Sequence, residues 1–214
     1  MKTKIVLTFI WIIIILSFLI GIFLYNKMPD QLASHWNAKG EVDDYISKFW
    51  GLFLVPIISL AIFLLFLLIP KIDPLKENIQ KFREYFNGFI MLIMIFLFYI
   101  YILTILWNLE YRFNMTIAII PAIAVLFYYV GILLEHAKRN WFVGIRTPWT
   151  LSSEVVWNKT HKLGAKLYKI LAVVMLISMF FEDYLVWIIL GVVLIGLFVL
   201  VIYSYFEFKK LKKN

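Results

Sequence analysis

The chain has 214 residues, of which 64% are hydrophobic and only 16% are charged, and its mean hydropathy is +0.90. This composition excludes an ordinary soluble globular domain and predicts a protein that crosses a lipid bilayer several times. The net charge of +8 is attributed to basic residues that flank membrane segments and attract anionic lipid headgroups, so it does not predict direct binding to nucleic acid.

Six apolar runs approach or exceed the length of about 20 residues that a transmembrane helix needs. They predict an all-α polytopic membrane bundle with spans at residues 5–25, 49–69, 86–107, 115–134, 167–181 and 184–206. The first run is longer than a signal-peptide core and no small-residue cleavage site follows it, so we expect a retained helix. The fifth run is short and would need helix tilt or local thinning of the bilayer.

The positions of the basic residues predict the orientation of the chain. Among the 21 lysines and arginines, those in the loops that follow the odd-numbered spans are Lys27, Lys39, Lys48 and Arg112. All the others flank the opposite ends of the spans. Because positively charged loops stay in the cytoplasm, we expect a multi-pass protein of the cell membrane with both termini in the cytoplasm.

Residues 27–48, here called the first loop, form the polar connection after span one and are predicted to lie outside. Pro29 favours a bend after the span, and Asn37 and Gly40 bracket a predicted tight turn. The loop also holds potential metal ligands, but none has helical ligand spacing, and the absence of cysteine excludes thiolate ligands, so we expect solvated side chains and no metal. These residues are Asp30, His35, Glu41, Asp43 and Asp44.

Residues 136–166, here called the signature segment, are polar and are predicted to lie in the cytoplasm. Gly144 and Pro148 interrupt the segment, and a helix is predicted to begin near Ser153 with Glu154 in its first turn. The following residues recur at intervals of three or four and share one face of that helix: Trp157, Thr160, His161, Gly164 and Tyr168. This face is interpreted either as a membrane-interface anchor or as a docking surface, with Arg146, Glu154 and His161 available to a partner or a lipid headgroup.

The predicted spans carry no ionisable residue in their interiors, which disfavours an ion-coupled transporter. No nucleophile with its base and no phosphate-binding glycine loop is present, and no cofactor is predicted. One alternative is a membrane-embedded or lipid-modifying enzyme that would use Glu135, His136, Glu154 and His161. Another is a structural subunit whose loops only anchor it.

The two polar segments resemble one known family. The first loop reads MPDQLASHWNAKGEVDDYISK, and the signature segment includes WFVGIRTPWTLSSEVVWNKTH after Asn140. The first string resembles the Pro-Asp-Gln, His-aromatic-Asn, Gly-Glu-x-Asp and Ser-Lys pattern of the two-helix module that opens SdpI-type membrane proteins. The second resembles the Gly-Ile-Arg-Thr-Pro-Trp-Thr-Leu run of the same family, which is followed by Trp and a Thr-His pair.

This resemblance implies an immunity protein, not an enzyme, that protects a cell against a secreted membrane-active peptide toxin. It also implies signalling, in which the toxin-engaged protein holds a soluble transcriptional repressor at the membrane. The expected partners are therefore the toxin, the repressor and the lipid bilayer. We further expect two modules, residues 1–70 with the first loop and residues 71–214 with the signature segment.

Carried over to this chain, the resemblance implies two sets of binding residues. The set in the first loop is Pro29, His35, Trp36, Asn37, Gly40, Glu41, Asp43 and Lys48. The set expected to meet a cytoplasmic partner is Asn140, Gly144, Arg146, Thr147, Pro148, Trp149, Glu154, Trp157 and His161. Ala33 stands where family members commonly have proline, so we expect the first loop to be more flexible than usual.

Overall fold

The computed structural model describes residues 3–211. The helices are α1 (Thr3–Leu24), α2 (Lys48–Ile72), α3 (Lys76–Lys81), α4 (Arg83–Asn108), α5 (Met115–His136), α6 (Pro148–Ser152), α7 (Glu154–Ser178) and α8 (Leu185–Leu211). The strands are β1 (Gln31–Trp36) and β2 (Val42–Ser47), and a 3-10 turn (Glu182–Tyr184) precedes α8. Lys2, Lys212 and Lys213, which contribute to the predicted orientation, lie outside the described residues.

Five of the described helices, α1, α2, α4, α5 and α8, are long and apolar enough to cross a membrane. Their outer surfaces carry exposed aliphatic side chains such as Ile22, Leu65 and Ile195, which lipid can cover. Within the helices, the backbone groups bond to one another, as a span in hydrocarbon requires. The structure therefore has the mostly helical architecture of a multi-pass membrane protein.

Helix α7 contains most of the fifth predicted span but differs from the other five because its first half is polar. It nevertheless runs the length of the bundle beside α5. Asp183, just after α7, lines the same cavity as Lys39 of the first loop and Asn114 before α5. The crossing of the membrane by α7, and with it the six-span plan, stays a prediction.

The first loop folds as a β-hairpin, which the all-α prediction missed. Strands β1 and β2 pair antiparallel, with Gln31 opposite Ser47 and Trp36 opposite Val42. Most of β2 is polar and exposed, so the sequence lacks the apolar alternation by which a half-buried strand is recognised. The predicted turn is confirmed, because the Gly40 N–H donates to the Asn37 carbonyl at 2.9 Å and Gly40 has a φ of 79°.

The interior joins the two ends of the chain. Helices α1 and α2 pack on α4, while α7 packs between α5 and α8. The largest buried cluster combines Ile10 of α1, Phe63 of α2 and Phe86 of α4 with Leu133 and Trp157 from α5 and α7. The signature segment is therefore packed against helices from the N-terminal part of the chain.

The first loop and the signature segment lie at opposite ends of α5. At its first turn, the Thr116 hydroxyl donates to the Asn37 carbonyl at 3.3 Å. Beyond its last turn, the Ala137 carbonyl accepts from the Trp157 indole at 2.8 Å. Helix α5 therefore separates the two polar segments.

Both ends of the described chain lie at the signature-segment end of the bundle. Near the start of α1, the Thr3 hydroxyl accepts from the Asn87 amide at 2.8 Å. Near the end of α8, the Glu207 carboxylate pairs with Lys159 at 2.7 Å. This arrangement agrees with two termini on one side of the membrane, and the cytoplasmic identity of that side stays a prediction.

Candidate functional site

The turn of the hairpin is held by Asn37. Its side-chain oxygen accepts from the backbone N–H groups of Lys39 at 2.9 Å and Glu41 at 3.1 Å, and its amide donates to the Glu41 carboxylate at 3.0 Å. A Cβ at Gly40 would collide with the Asn114 side chain, which caps α5. Asn37 and Gly40 therefore shape the turn and dock it onto α5.

The exposed face of the hairpin carries charged side chains that are accessible to a partner. His35 Nδ1 lies 2.5 Å from Asp43 Oδ1 across the two strands, with 67% and 43% of the side chains exposed. Glu41 is exposed next to the turn. At the base of the hairpin, the Lys48 ammonium pairs with Asp30 at 3.0 Å, and Pro29 is exposed.

Ala33 is held by hydrogen bonds to Asn108, and the expected flexibility of the first loop stays a prediction. Its N–H donates to Asn108 Oδ1 at 2.8 Å, and its carbonyl accepts from Asn108 Nδ2 at 3.1 Å. Ala33 is also only 1% exposed. Asn108 thus pairs with the free edge of β1 as another strand would and restrains the chain where a proline would otherwise do so.

A mostly apolar groove of about 310 Å³ lies at the foot of the hairpin. It is lined by His35 and Trp36 from β1, Trp50 and Leu54 from α2, Ile100 from α4 and Ile119 from α5. Trp36 also meets Trp107 edge to face, with ring centroids 5.6 Å apart. A ligand in this groove would contact apolar helix surfaces and the charged hairpin together.

In the signature segment, Asn140 is completely buried and organises the loop after α5. Its side-chain oxygen accepts from the N–H groups of Phe142 at 2.9 Å and Val143 at 2.6 Å. Its amide donates to the carbonyls of Lys138 and Val143, both at 2.8 Å. Both the oxygen and the amide nitrogen of the Asn140 side chain bond to backbone groups of the loop. Asn140 is therefore not available to a partner.

Residues between α2 and α3, and in α3, form hydrogen bonds with the backbone of the same loop. The carboxylate of Asp73, which is 2% exposed, accepts from the Trp141 N–H at 2.9 Å and from the Leu75 N–H at 2.6 Å. The Asn78 amide donates to the Arg139 carbonyl at 2.9 Å. Sequence reasoning missed Asp73 and Asn78, because partners some 60 to 70 residues away leave no local pattern.

His161 is buried among backbone groups and the Trp157 ring. Its Nδ1 donates to the Trp157 carbonyl at 2.8 Å, its Nε2 accepts from the Ile145 N–H at 3.1 Å, and the two rings stack at 3.9 Å. Burial lowers the pKa of His161 to about 4, because a charged imidazolium would lose its hydration. The ring is therefore neutral at pH 7, and neither of its nitrogens is free.

Gly144 and Trp157 complete this packed unit. The Trp157 indole is fully buried and donates to the Ala137 carbonyl at 2.8 Å. Gly144 has a φ of 117°, and a Cβ there would collide with His161 Nε2. The helical face that begins at Trp157 therefore points into the protein, not toward lipid or a partner as the sequence interpretations required.

Helix α6 links the signature segment to α8. Its N-terminus has a capping box between Thr147 and Thr150, with Pro148 at the first helical position. The Thr147 hydroxyl donates to the Ser204 hydroxyl at 3.0 Å, and Trp149 meets Tyr205 with ring centroids 5.2 Å apart. The predicted start of α7 is confirmed, because Ser153 caps the helix by accepting from the Val156 N–H.

A small set of residues in the signature segment stays accessible. Arg146 and Glu154 are exposed, and half of the Trp141 side chain is exposed. The Arg146 guanidinium donates to the Trp141 carbonyl at 2.6 Å, which fixes it at the surface. Of the residues expected to meet a partner, Gly144, Arg146, Pro148 and Glu154 are exposed and Trp149 is half-buried, whereas Asn140, Thr147, Trp157 and His161 are buried.

The four residues of the enzyme alternative do not come together. Glu135 and His161 line one cavity, but His136 stacks on Tyr85 at 3.6 Å and Glu154 lies outside that lining. Because both nitrogens of His161 bond to the backbone, this ring offers no base to a substrate. Among residues 3–211, no group of three or more His, Asp or Glu side chains lies close enough to hold a metal ion.

Comparison with known proteins finds a family model for each segment and a relative whose alignment spans both. The model of the SdpI/YfhL protein family matches residues 136–204, and that of a domain of unknown function (DUF1648) matches residues 12–60. The chain is 27% identical over 201 residues to "Immunity protein SdpI" of Bacillus subtilis (strain 168), and the alignment covers 94% of each chain. No solved structure has significant similarity to this one.

Proposed function

We propose that this chain, which matches the model of the SdpI/YfhL protein family over residues 136–204, is a membrane immunity protein that protects its cell against a secreted membrane-active peptide toxin. The observation that carries this proposal is the 27% identity to an immunity protein along 94% of both chains. An alignment of that extent runs through both the first loop and the signature segment. The five long apolar helices agree with a protein that acts in the membrane that the toxin attacks.

We propose that the toxin meets the hairpin and the groove beneath it. A membrane-active peptide needs apolar side chains to enter lipid, and its polar backbone or charges stay near the interface. The groove supplies an apolar surface bordered by Trp36 and Trp50, and His35, which lines it, pairs with the exposed carboxylate of Asp43. In this proposal the first loop faces outside, α7 crosses the membrane, and both termini lie in the cytoplasm.

We propose that the exposed part of the signature segment holds a soluble transcriptional repressor when toxin is bound. Trp141 and Arg146 of the loop before α6 offer an exposed aromatic ring and a cation, and Glu154 at the start of α7 offers an anion; aromatic residues and arginine are enriched where proteins bind one another. The two matched regions, residues 12–60 and 136–204, would then be an outer recognition module and an inner signalling module.

The decisive experiment measures survival of a toxin-sensitive host that expresses the wild type or variants. The test variant is His35→Ala/Asp43→Ala, which removes an exposed pair without touching Asn37 or Gly40. The control is Tyr111→Ala, at an exposed side chain at the same end of the bundle that is not part of the groove lining. We expect the test variant to lose protection and the control to retain it at equal abundance in the membrane.

If both variants protect as well as the wild type does, the hairpin is not the toxin contact. If well-expressed wild type gives no protection against any peptide of a broad panel, the immunity function itself is wrong. Arg146→Ala tests the signalling part separately. It should keep protection but lose toxin-dependent recruitment of a cytoplasmic repressor, measured by mass spectrometry of membrane-associated proteins.

The orientation can be tested directly because the chain has no cysteine. A membrane-impermeant maleimide added to whole cells should label Glu41→Cys but not Glu154→Cys. Labelling of Asp183→Cys from outside would support a sixth crossing by α7. Labelling of Glu154→Cys in intact cells would reverse the proposed orientation.

A further inference from the structure

A second cavity, of about 410 Å³, lies at the signature-segment end of the bundle, between the end of α5 and the first turns of α7. It is lined by Leu134, Glu135, Ala137, Lys138, Asn158, His161, Lys162 and Lys166. The SdpI resemblance assigns no role to the lysines of this lining. The cavity is separate from the exposed loop around Arg146 and from the hairpin, so the following inference does not rest on the proposed function.

The cavity has an excess of positive charge. Glu135 is the acidic residue of the lining, and its carboxylate is already paired with Lys169 at 2.7 Å. Among the residues that the structure describes, Lys138, Lys162 and Lys166 form no ion pair with any carboxylate. The lining thus holds three exposed lysines without a carboxylate partner among the described residues, and one carboxylate that already pairs with Lys169.

The other walls do not offset this charge. His161 is neutral at pH 7 and uses both ring nitrogens for backbone hydrogen bonds. Asn158 precedes Lys162 and Lys166 in one row along α7, because the three residues are spaced at intervals of four. Its amide is an additional donor beside the ammonium groups. The donors of the lining therefore outnumber its acceptors, since the Glu135 carboxylate is paired with Lys169, and this excess is suited to an anion with several oxygen atoms.

The surface beyond the lysines continues as an apolar track along the same face of α7. Ile170, Val173 and Ile177 follow Lys162 and Lys166 at helical spacing, and their side chains are 55%, 52% and 51% exposed. Along this face of α7, the side chains thus change from lysines near the end of the bundle to aliphatic residues toward its centre. A molecule with an anionic head and hydrocarbon chains matches this order of surfaces, whereas a free ion would use only the first part.

We propose that this cavity binds a phosphate group, carried by an anionic phospholipid whose acyl chains lie along Ile170, Val173 and Ile177. Lys138 reaches the phosphate from the end of α5, and Lys162 and Lys166 reach it from α7. The lipid thereby joins the two helices that the signature segment connects. The site distinguishes a phosphate with net negative charge from a zwitterionic headgroup, because a choline group would place a cation among three lysines.

The test uses the purified full chain, stripped of lipid in a neutral detergent, and counts bound phosphatidylglycerol against phosphatidylcholine by native mass spectrometry. We expect the wild type to prefer phosphatidylglycerol by about tenfold or more. The cavity variant Lys138→Gln/Lys162→Gln/Lys166→Gln should lose this preference. The matched control Lys71→Gln/Lys76→Gln/Lys209→Gln removes the same charge from exposed positions outside the lining and should keep it.

Three outcomes decide the proposal. An equal loss in the cavity and control variants would overturn it, since the attraction would then come from the overall charge. No preference in the wild type would also overturn it. Displacement of the lipid by millimolar inorganic phosphate would overturn the assignment to a phospholipid, whereas resistance to phosphate supports it. Lys162→Glu supplies a second variant in case the triple variant does not fold, and it should repel phosphatidylglycerol.

Discussion

In the hairpin, the polar side chains of His35, Glu41 and Asp43 face solvent, whereas in the signature segment Asn140, Thr150 and His161 are buried. In the sequence, both segments are rich in polar residues, and this composition suggested a binding surface in each. The difference arises from how each segment satisfies its backbone. A paired hairpin bonds its own N–H and C=O groups strand to strand, so its side chains remain available for recognition.

The irregular chain between α5 and α6 has no strand partner, and buried backbone groups must bond to something. Asn140, Asp73, Asn78 and His161 supply those bonds. A polar residue in such a loop is therefore more readily explained by hydrogen bonds to the backbone than by binding to a partner. We accordingly expect substitutions in the signature segment to act mainly on stability and substitutions on the hairpin surface to act mainly on recognition.

The largest effect should come from Trp157→Ala. The substitution removes a fully buried indole, its hydrogen bond to Ala137 and its stacking on His161. We expect a loss of about 3–5 kcal/mol in the free energy of unfolding, measured by loss of helical signal in mixed micelles. Trp187→Ala, at a side chain that is 73% exposed, should cost far less. Equal costs would break the contrast between buried and exposed motif residues.

The pH dependence of stability tests the neutral state of His161. Its pKa is about 4 in the folded protein, against an ordinary value of 6.5. Between these values the unfolded chain binds more protons, so the stabilisation is complete above pH 6.5 and is lost as the pH falls toward 4. The loss should reach about 3 kcal/mol. His161→Gln cannot titrate, so its stability deficit relative to the wild type should shrink on acidification, and a constant deficit would contradict a buried neutral ring.

Much of the architecture could be predicted from the sequence because a helix that crosses a lipid bilayer needs a long apolar run of residues. Long apolar runs such as those of α1 and α8 need no tertiary information to be recognised as candidate spans. The cap at Ser153 and the turn at Asn37 and Gly40 were also readable, since they depend on neighbours within four residues. Local chemistry leaves a local pattern.

The contacts that define the candidate sites left no such pattern. Asn108 bonds to Ala33, and Asp73 bonds to Trp141, over separations of 75 and 68 residues. The face from Trp157 to Tyr168 has the spacing of an amphipathic helix, and that spacing is the same whether lipid, a partner or the protein covers it. The sequence thus identified the face but could not tell what it faces.

Gly144→Ala should have the next largest effect. The backbone there has a φ of 117°, and the added methyl group would collide with His161 Nε2. We expect a cost of about 2–4 kcal/mol from backbone strain together with displacement of His161. Gly191→Ala is a matched control, because a Cβ there meets nothing within 4 Å and alanine favours the helix. The two variants can be compared by thermal inactivation in one detergent, and similar midpoints would contradict this account of Gly144.

Asn108→Ala sharpens the comparison from the hairpin side. It leaves the buried N–H and C=O groups of Ala33 without the partners that now lie at 2.8 and 3.1 Å, at a cost of about 1–3 kcal/mol. Hydrogen exchange of residues 31–36 should accelerate, while exchange in the signature segment should not change. Unchanged exchange in β1 would mean that the hairpin is held by its turn and not by Asn108.

The smallest effect on stability should come from His35→Ala, although it has a large expected effect on recognition. The His35–Asp43 pair is exposed on both sides, and pairs of this kind contribute about 0–1 kcal/mol. Thermal unfolding should therefore hardly change, while protection against the toxin falls. Asp43→Asn, which keeps the size of the side chain but removes its charge, should weaken protection to a similar extent if the charge itself contacts the peptide. A loss of stability comparable to that of Gly144→Ala would place His35 among the structural residues and remove the physical basis for treating the two polar segments differently.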